Sequence, residues 1–182
     1  MQNIEIKTSL PNPEATLNLI TQLGAKPTWV HQQRDVFFNV PAGYLKLRCV
    51  EGRPAELIAY QREPGTKPRP SDYDIARCED GVALETALTR SLGIRGIVQK
   101  ERQLYLWQHT RIHVDQVRDL GTFLELETVV KGISIAEARA ETDQVIAALA
   151  LDSDLFLDRP YLELLDRENS GVVSPSNLRQ NS

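Results

Sequence analysis

Polar and apolar residues alternate strictly along Asn3-Ile4-Glu5-Ile6-Lys7, a period of two that predicts a β-strand with Asn3, Glu5 and Lys7 on one face. The pattern changes at Asn12-Pro13-Glu14. A capping side chain, a proline at the first helical position and an acid at the positive end of the dipole open a helix there, with Leu17, Ile20 and Leu23 on its apolar side and Gly24 closing it. Strand formers return from Pro27: Thr28-Trp29-Val30, Val36-Phe37-Phe38 and, after a turn at Pro41-Ala42-Gly43, the alternating run Tyr44-Leu45-Lys46-Leu47-Arg48. Lys46 and Arg48 share one face. Past a turn at Gly52-Arg53-Pro54, another strand runs from Glu56 to Arg62, a loop covers 64–68, and a further strand runs from Ser71 to Ala76.

Leu84, Leu88 and Leu92 recur at a spacing of four, which predicts a helix from Gly81 to Leu92 ended by Gly93. Two long strands follow, from Ile97 to Leu106 and from Thr110 to Asp115. The last strand, Thr122 to Val129, sets Glu125 and Glu127 on one face and Leu124 and Leu126 on the other. Ser134-Ile135-Ala136-Glu137 is a capping box that opens a helix carrying Val145, Ile146 and Leu149, and Pro160 to Leu165 makes a short final helix. Residues 1–166 are expected to form one domain. No apolar period continues past Arg167, so 167–182 is expected to be a disordered tail.

These elements predict an α+β fold: an eight-stranded antiparallel β-barrel, or tunnel, with helices packed outside. Alternate residues of each strand point into such a barrel. Polar faces repeated on many strands therefore predict a wet, charged lumen.

Composition narrows the function. With 41% hydrophobic and 25% charged residues the chain reads as an ordinary globular protein. No apolar run is long enough to cross a bilayer and the N-terminus lacks a signal-peptide layout, so a cytoplasmic protein with no membrane partner is expected. Cys49 and Cys78 have no metal-type spacing and read as reduced thiols. A net charge of −4 argues against a nucleic-acid partner, which would need a basic surface. An RNA-binding barrel is further disfavoured because carboxylates share the inward strand faces with the cations.

Charges on a single strand face usually mean a solvated surface. The whole set reads differently. Lys7, Lys46, Arg48, Lys100, Arg102 and Arg111 would converge from several strands, which suits a polyanion, with arginine giving bidentate grips and lysine a point charge. Glu125 and Glu127 repel each other unless a cation lies between them, and a few carboxylate oxygens near a phosphate are how Mg²⁺ or Mn²⁺ is usually held.

The order of these motifs resembles the CYTH superfamily of triphosphate tunnel enzymes, which includes class IV adenylyl cyclases, thiamine triphosphatases and inorganic tripolyphosphatases. The likeness runs from Asn3 to about Leu165. It rests on Asn3-Ile4-Glu5-Ile6-Lys7 in place of a Glu-x-Glu-x-Lys strand, on Lys46 with Arg48, Lys100 with Arg102, Arg111 with Asp115, and on Glu125-x-Glu127. The resemblance implies a small-molecule triphosphate bound by Lys7, Lys46, Arg48, Lys100, Arg102 and Arg111, and Mg²⁺ or Mn²⁺ bound by Glu5, Asp115, Glu125 and Glu127. Arg62 is carried over on its strand alone, because Ile58 and Tyr60 share its phase. Asn3 departs from the hallmark and brings no charge, which favours one-metal chemistry. The implied reaction is cyclisation of ATP to cyclic AMP and pyrophosphate, or hydrolysis releasing orthophosphate, in a monomer or homodimer. A non-catalytic nucleotide or polyphosphate binder is the alternative.

His31, His109 and His113 share no ligand spacing. His113 reads as a hydrogen-bonded filler beside Arg111 and Asp115, Tyr60, Tyr73 and Tyr105 as core, and Tyr161 as a residue that could close the tunnel mouth.

Overall fold

The structure, a computed structural model, describes residues 2–61 and 69–169. Arg62 lies outside the described residues. In chain order the elements are β1 (Gln2–Ser9), α1 (Pro13–Gln22), β2 (Lys26–Phe38), β3 (Tyr44–Val50), β4 (Ala55–Gln61), β5 (Arg69–Cys78), α2 (Gly81–Leu92), β6 (Ile94–Trp107), β7 (Thr110–Val117), β8 (Gly121–Val129), α3 (Ile135–Ala148), a 3-10 turn (Ser153–Leu155) and α4 (Tyr161–Asn169). The eight strands close into a barrel in the order β1-β5-β4-β3-β2-β6-β7-β8. Every neighbouring pair is antiparallel. The closure is made at the β1–β5 seam, where four residue pairs from Gln2↔Asp72 to Glu5↔Arg69 join the two ends of the sheet.

Alternation decides which side chain goes where. The outward face of β1, β7 and β8 supplies Ile6, Ile112, Val114, Leu124 and Leu126, which pack with Ile20 of α1 and Val145 and Leu149 of α3. Val36, Phe38 and Leu47 pack under Leu84, Leu88 and Leu92 of α2. The hydrophobic core therefore lies outside the barrel wall, beneath the helices. Burying these side chains is worth roughly 1.5–3 kcal/mol each, enough to hold the wall while its inner face stays polar.

The helix signals act as the sequence indicates. Asn12 Oδ1 accepts from the Ala15 amide, Gly24 takes a φ of +80°, and Ser134 and Glu137 form the capping box. Two elements differ from expectation. β2 is one strand of 13 residues, because Gln33 and Asp35 in its middle face a polar lumen and keep the strand going without an apolar face. Among the helices, α4 does not simply lie outside; Tyr161 and Leu162 enter a cluster with Phe37, Val98, Val117 and Phe123 and seal one end of the barrel. Gly96 permits this docking, since a Cβ there would collide with the Leu162 side chain. α4 also runs to Asn169, past the expected start of the tail at residue 167. No helix among the described residues is long and apolar enough to cross a membrane.

Candidate functional site

The barrel encloses a cavity of about 690 Å³. Glu5, Lys7, Lys46, Arg48, Lys100, Arg102, Arg111, Glu125 and Glu127, expected inward from the sequence, all line it. Their positions follow from strand parity and register, with Glu5 opposite Glu127 and Lys7 opposite Glu125 across β1 and β8.

Two buried aspartates organise most of the cations. Asp35, paired with Arg48 across β2 and β3, accepts from Lys46 Nζ at 2.8 Å and from Arg48 Nε and Nη2 at 3.0 and 3.2 Å. Asp115, paired with Arg102 across β6 and β7, accepts from Lys100 Nζ at 2.8 Å, from Arg102 Nε and Nη2 at 2.6 Å each, and from the Tyr161 hydroxyl at 2.9 Å. Burial alone would raise these carboxyls. Arg48 and Lys46 outweigh it at Asp35, as Arg102 and Lys100 do at Asp115, and both stay ionised, well below the usual carboxylate range. The lysines respond oppositely. Burial and then Arg48 bring Lys46 down to about 8, and burial and then Arg102 bring Lys100 down to about 7.

Asp115 was expected among the metal ligands. It is fully buried beneath the cations and does not line the cavity, and both of its oxygens are already engaged. The geometry makes it an anchor that holds Lys100, Arg102 and Tyr161 in place. Asp35, on β2 at the other side of β6, plays the matching part for Lys46 and Arg48, and the sequence pattern does not single it out. Only its inward parity is legible, because Gln33 and Asp35 share the parity of Phe37 in a run that alternates with Arg34 and Val36.

The remaining carboxylates lie toward β1 and β8. Glu125 accepts from Lys7 Nζ at 2.8 Å and Arg102 Nη2 at 3.0 Å, and these cations hold it well below its ordinary range against the effect of burial. Lys7 is also 4.0 Å from the centroid of the Tyr161 ring, so that ring floors the sealed end and stabilises the ammonium on its face. Glu127 accepts from Arg111 Nη1 at 3.3 Å, lies 3.2 Å from His113 Nε2, and accepts from the Asn3 amide nitrogen. His113, at 5% exposure, is a buried filler that orients Glu127; burial and then Arg102 lower its pKa.

These residues fit a hard divalent cation by their chemistry. Glu5 and Glu127 are directly opposed like charges, Glu125 is two residues along the same face, and Asn3 Oδ1 is buried without a hydrogen-bond partner. Oxygen ligands of this kind suit Mg²⁺ or Mn²⁺. Among the described residues no three such side chains are already gathered round one point, because Glu125 and Glu127 are held by protein cations. A metal would enter by exchange with those partners.

Asn3 itself is fully buried, donating to both Glu127 and the Tyr73 hydroxyl. An Asn3→Glu variant would add a carboxylate beside Glu127 and near Glu5. Its Tm in EDTA should fall by several degrees, as for about 1–2 kcal/mol of like-charge repulsion, and Mn²⁺ should restore it. An unchanged Tm with no response to Mn²⁺ would remove the metal from this corner.

The site is thus a closed antiparallel tunnel whose lumen combines anchored cation pairs with opposed carboxylates. Sequence comparison gives the family. The CYTH domain profile matches residues 1–161, and the chain belongs to that family. A Methanocaldococcus jannaschii protein provisionally named an adenylate cyclase is 24% identical over 175 residues, covering 90% of this chain and 98% of its own. Among solved structures, a Pyrococcus horikoshii protein superposes with a TM-score of 0.79 at 22% identity, covering 89% of this chain and 98% of its own. A Hippeastrum protein provisionally named an adenylyl cyclase, with a dominant triphosphatase activity, superposes with a TM-score of 0.63 at 16% identity, covering 96% of this chain and 99% of its own.

Proposed function

We propose that this chain binds a triphosphate in its tunnel and converts it, with Mg²⁺ or Mn²⁺ held by Glu5, Glu125 and Glu127. One observation carries the reading: two cation pairs, Lys46 with Arg48 on β3 and Lys100 with Arg102 on β6, flank β2 in one lumen and are fixed there by fully engaged aspartates. Cations fixed in this way cost little to reorganise when a polyanion arrives, which is how a preorganised site stabilises developing phosphate charge. Arg102 and Lys7 also touch Glu125, so a phosphate that takes their hydrogen bonds releases that carboxylate toward a metal. Arg111, with its side chain 43% exposed, can turn from Glu127 to a phosphate with the same result.

The metal, when bound, supplies charge neutralisation at phosphate oxygens and a more acidic water. The protein's own groups grip and orient. Arg48 and Arg102 keep their planes fixed by bidentate contact with Asp35 and Asp115, and Lys46 and Lys100 approach as compact charges. The same grip serves attack by water on the terminal phosphorus and attack by a ribose hydroxyl on the α-phosphorus. The family resemblance and the activity of the Hippeastrum neighbour support conversion over simple storage.

Incubation with ATP, and separately with tripolyphosphate, in Mg²⁺ and in Mn²⁺ tests the proposal. Cyclic AMP with pyrophosphate identifies a cyclase, and orthophosphate identifies a triphosphatase. Binding with neither product under either metal would leave the non-catalytic binder, which the neutral Asn3 favours.

A further inference from the structure

Exposure rises along the tunnel away from Tyr161. Arg53, Pro54, Ile75 and Arg77 line the cavity and are exposed, so this end is the open mouth. Trp29 and His31, two residues apart on β2, face the lumen here with ring centroids 3.9 Å apart and planes inclined by 19°. The Arg53 guanidinium lies 5.2 Å from the Trp29 ring centroid, so a flat cation already uses that aromatic ring. The register of β2 on β6 slips between Pro27 and Trp29, and bulges of this kind re-aim side chains at barrel rims.

Position relative to the cations is the second observation. His31 pairs with Arg102 and Gln33 with Lys100 across β2 and β6, so the aromatic ledge begins where the cation row ends. Trp29 stands two residues further out, about 7 Å along the strand, which is the span of a sugar. His31 Nδ1 is buried without a hydrogen-bond partner, while Nε2 is 3.5 Å from Gln33 Oε1. With the ring proton directed at Gln33, Nδ1 is left as an acceptor for a hydroxyl or amine.

We infer that Trp29, His31 and Arg53 form a stacking subsite at the tunnel mouth for the nucleobase of a nucleoside triphosphate, whose phosphates lie on the cations further in. The inference rests on the triphosphate reading and adds a discrimination to it. A planar neutral base takes the stacked position at Trp29, and the exposed Arg53 moves aside or covers it. The Arg53 guanidinium over Trp29 favours a neutral base over a cationic ring there, while Arg77 and Arg111 are paired with Glu56 and Glu127. Inorganic tripolyphosphate has nothing to place there.

The test compares equilibrium binding of ATP and of tripolyphosphate by calorimetry, with EDTA and with Mg²⁺, for the native chain, Trp29→Ala and Trp29→Phe. Loss of one base stack should weaken ATP about tenfold in Trp29→Ala, with most of the loss recovered in Trp29→Phe, while tripolyphosphate binding is unchanged. The unchanged tripolyphosphate affinity also serves as the check on folding. If Trp29→Ala alters neither ligand, or weakens both equally, the stacking subsite is overturned and the triphosphate grip remains. If the native chain binds neither compound under either condition, the triphosphate reading fails and the subsite falls with it.

Discussion

Replacing Glu127 with Gln is expected to lower metal-dependent turnover about a hundredfold or more while the protein stays folded. Glutamine keeps the shape, its one carbonyl oxygen can still accept from Arg111 and His113, and its amide can donate to the Asn3 oxygen once that side chain turns over, so the local hydrogen bonds have substitutes. It also relieves the direct opposition of Glu5 and Glu127 across β1 and β8. What it removes is the charge. If that carboxylate helps hold the metal, several kcal/mol of charge stabilisation disappear from the transition state, and each 1.4 kcal/mol is a factor of ten in rate. Steady-state rates against Mg²⁺ and Mn²⁺ concentration, with Tm recorded alongside, provide the check. Native-level activity at ordinary metal concentration would take Glu127 out of the metal set.

Asp115→Ala should behave in the opposite manner, as a failure of stability rather than of metal use. Lys100 and Arg102 would be left buried, at 5% and 6% exposure, without their principal counter-ion. Breaking a buried ion pair by removing one partner costs about 3–5 kcal/mol. For a chain of this size that corresponds to a fall in Tm of about 10 °C, seen in EDTA and independent of any metal. Tyr161 would lose its acceptor as well, which loosens the floor of the tunnel. Were Asp115 a metal ligand instead, its replacement would leave Tm in EDTA nearly unchanged and shift only the metal requirement.

The contrast between these two carboxylates shows what was legible in the sequence. The fold was legible because each strand carries its own alternation and each helix its own cap, down to the bounds of α2, which match the Leu84, Leu88, Leu92 spacing. The inward charges were legible for the same reason. Roles within the lumen were not, because parity states only that Asp115 and Glu127 point inward, and which cation reaches which carboxylate depends on register between strands distant in sequence. Asp35 illustrates the point. Its value comes from β3, where Arg48 lies directly across from it, and nothing local on β2 announces that pairing. The polar middle of β2 even hid the strand, since a rule built on apolar faces has no place for a strand whose useful side is charged. For Tyr161 the sequence indicates no more than a residue near the tunnel mouth. Its hydroxyl on Asp115 and its ring beneath Lys7 depend on how α4 docks, which Gly96 on a remote strand allows.

Calorimetric titration with tripolyphosphate tests, without depending on turnover, whether the anchored cations of β3 and β6 grip a triphosphate. Lys46 and Lys100 have pKa values of about 8 and about 7, so near pH 8 a substantial share of each has lost its proton. A bound polyanion favours the charged forms and raises both values. Saturable binding at one tripolyphosphate per chain is therefore predicted, with net proton uptake at pH 8, read from buffers of different ionisation enthalpy, and with affinity falling as pH climbs from 7 to 9. Absence of saturable binding in EDTA and in Mg²⁺, or binding indifferent to pH and without proton uptake, would contradict it.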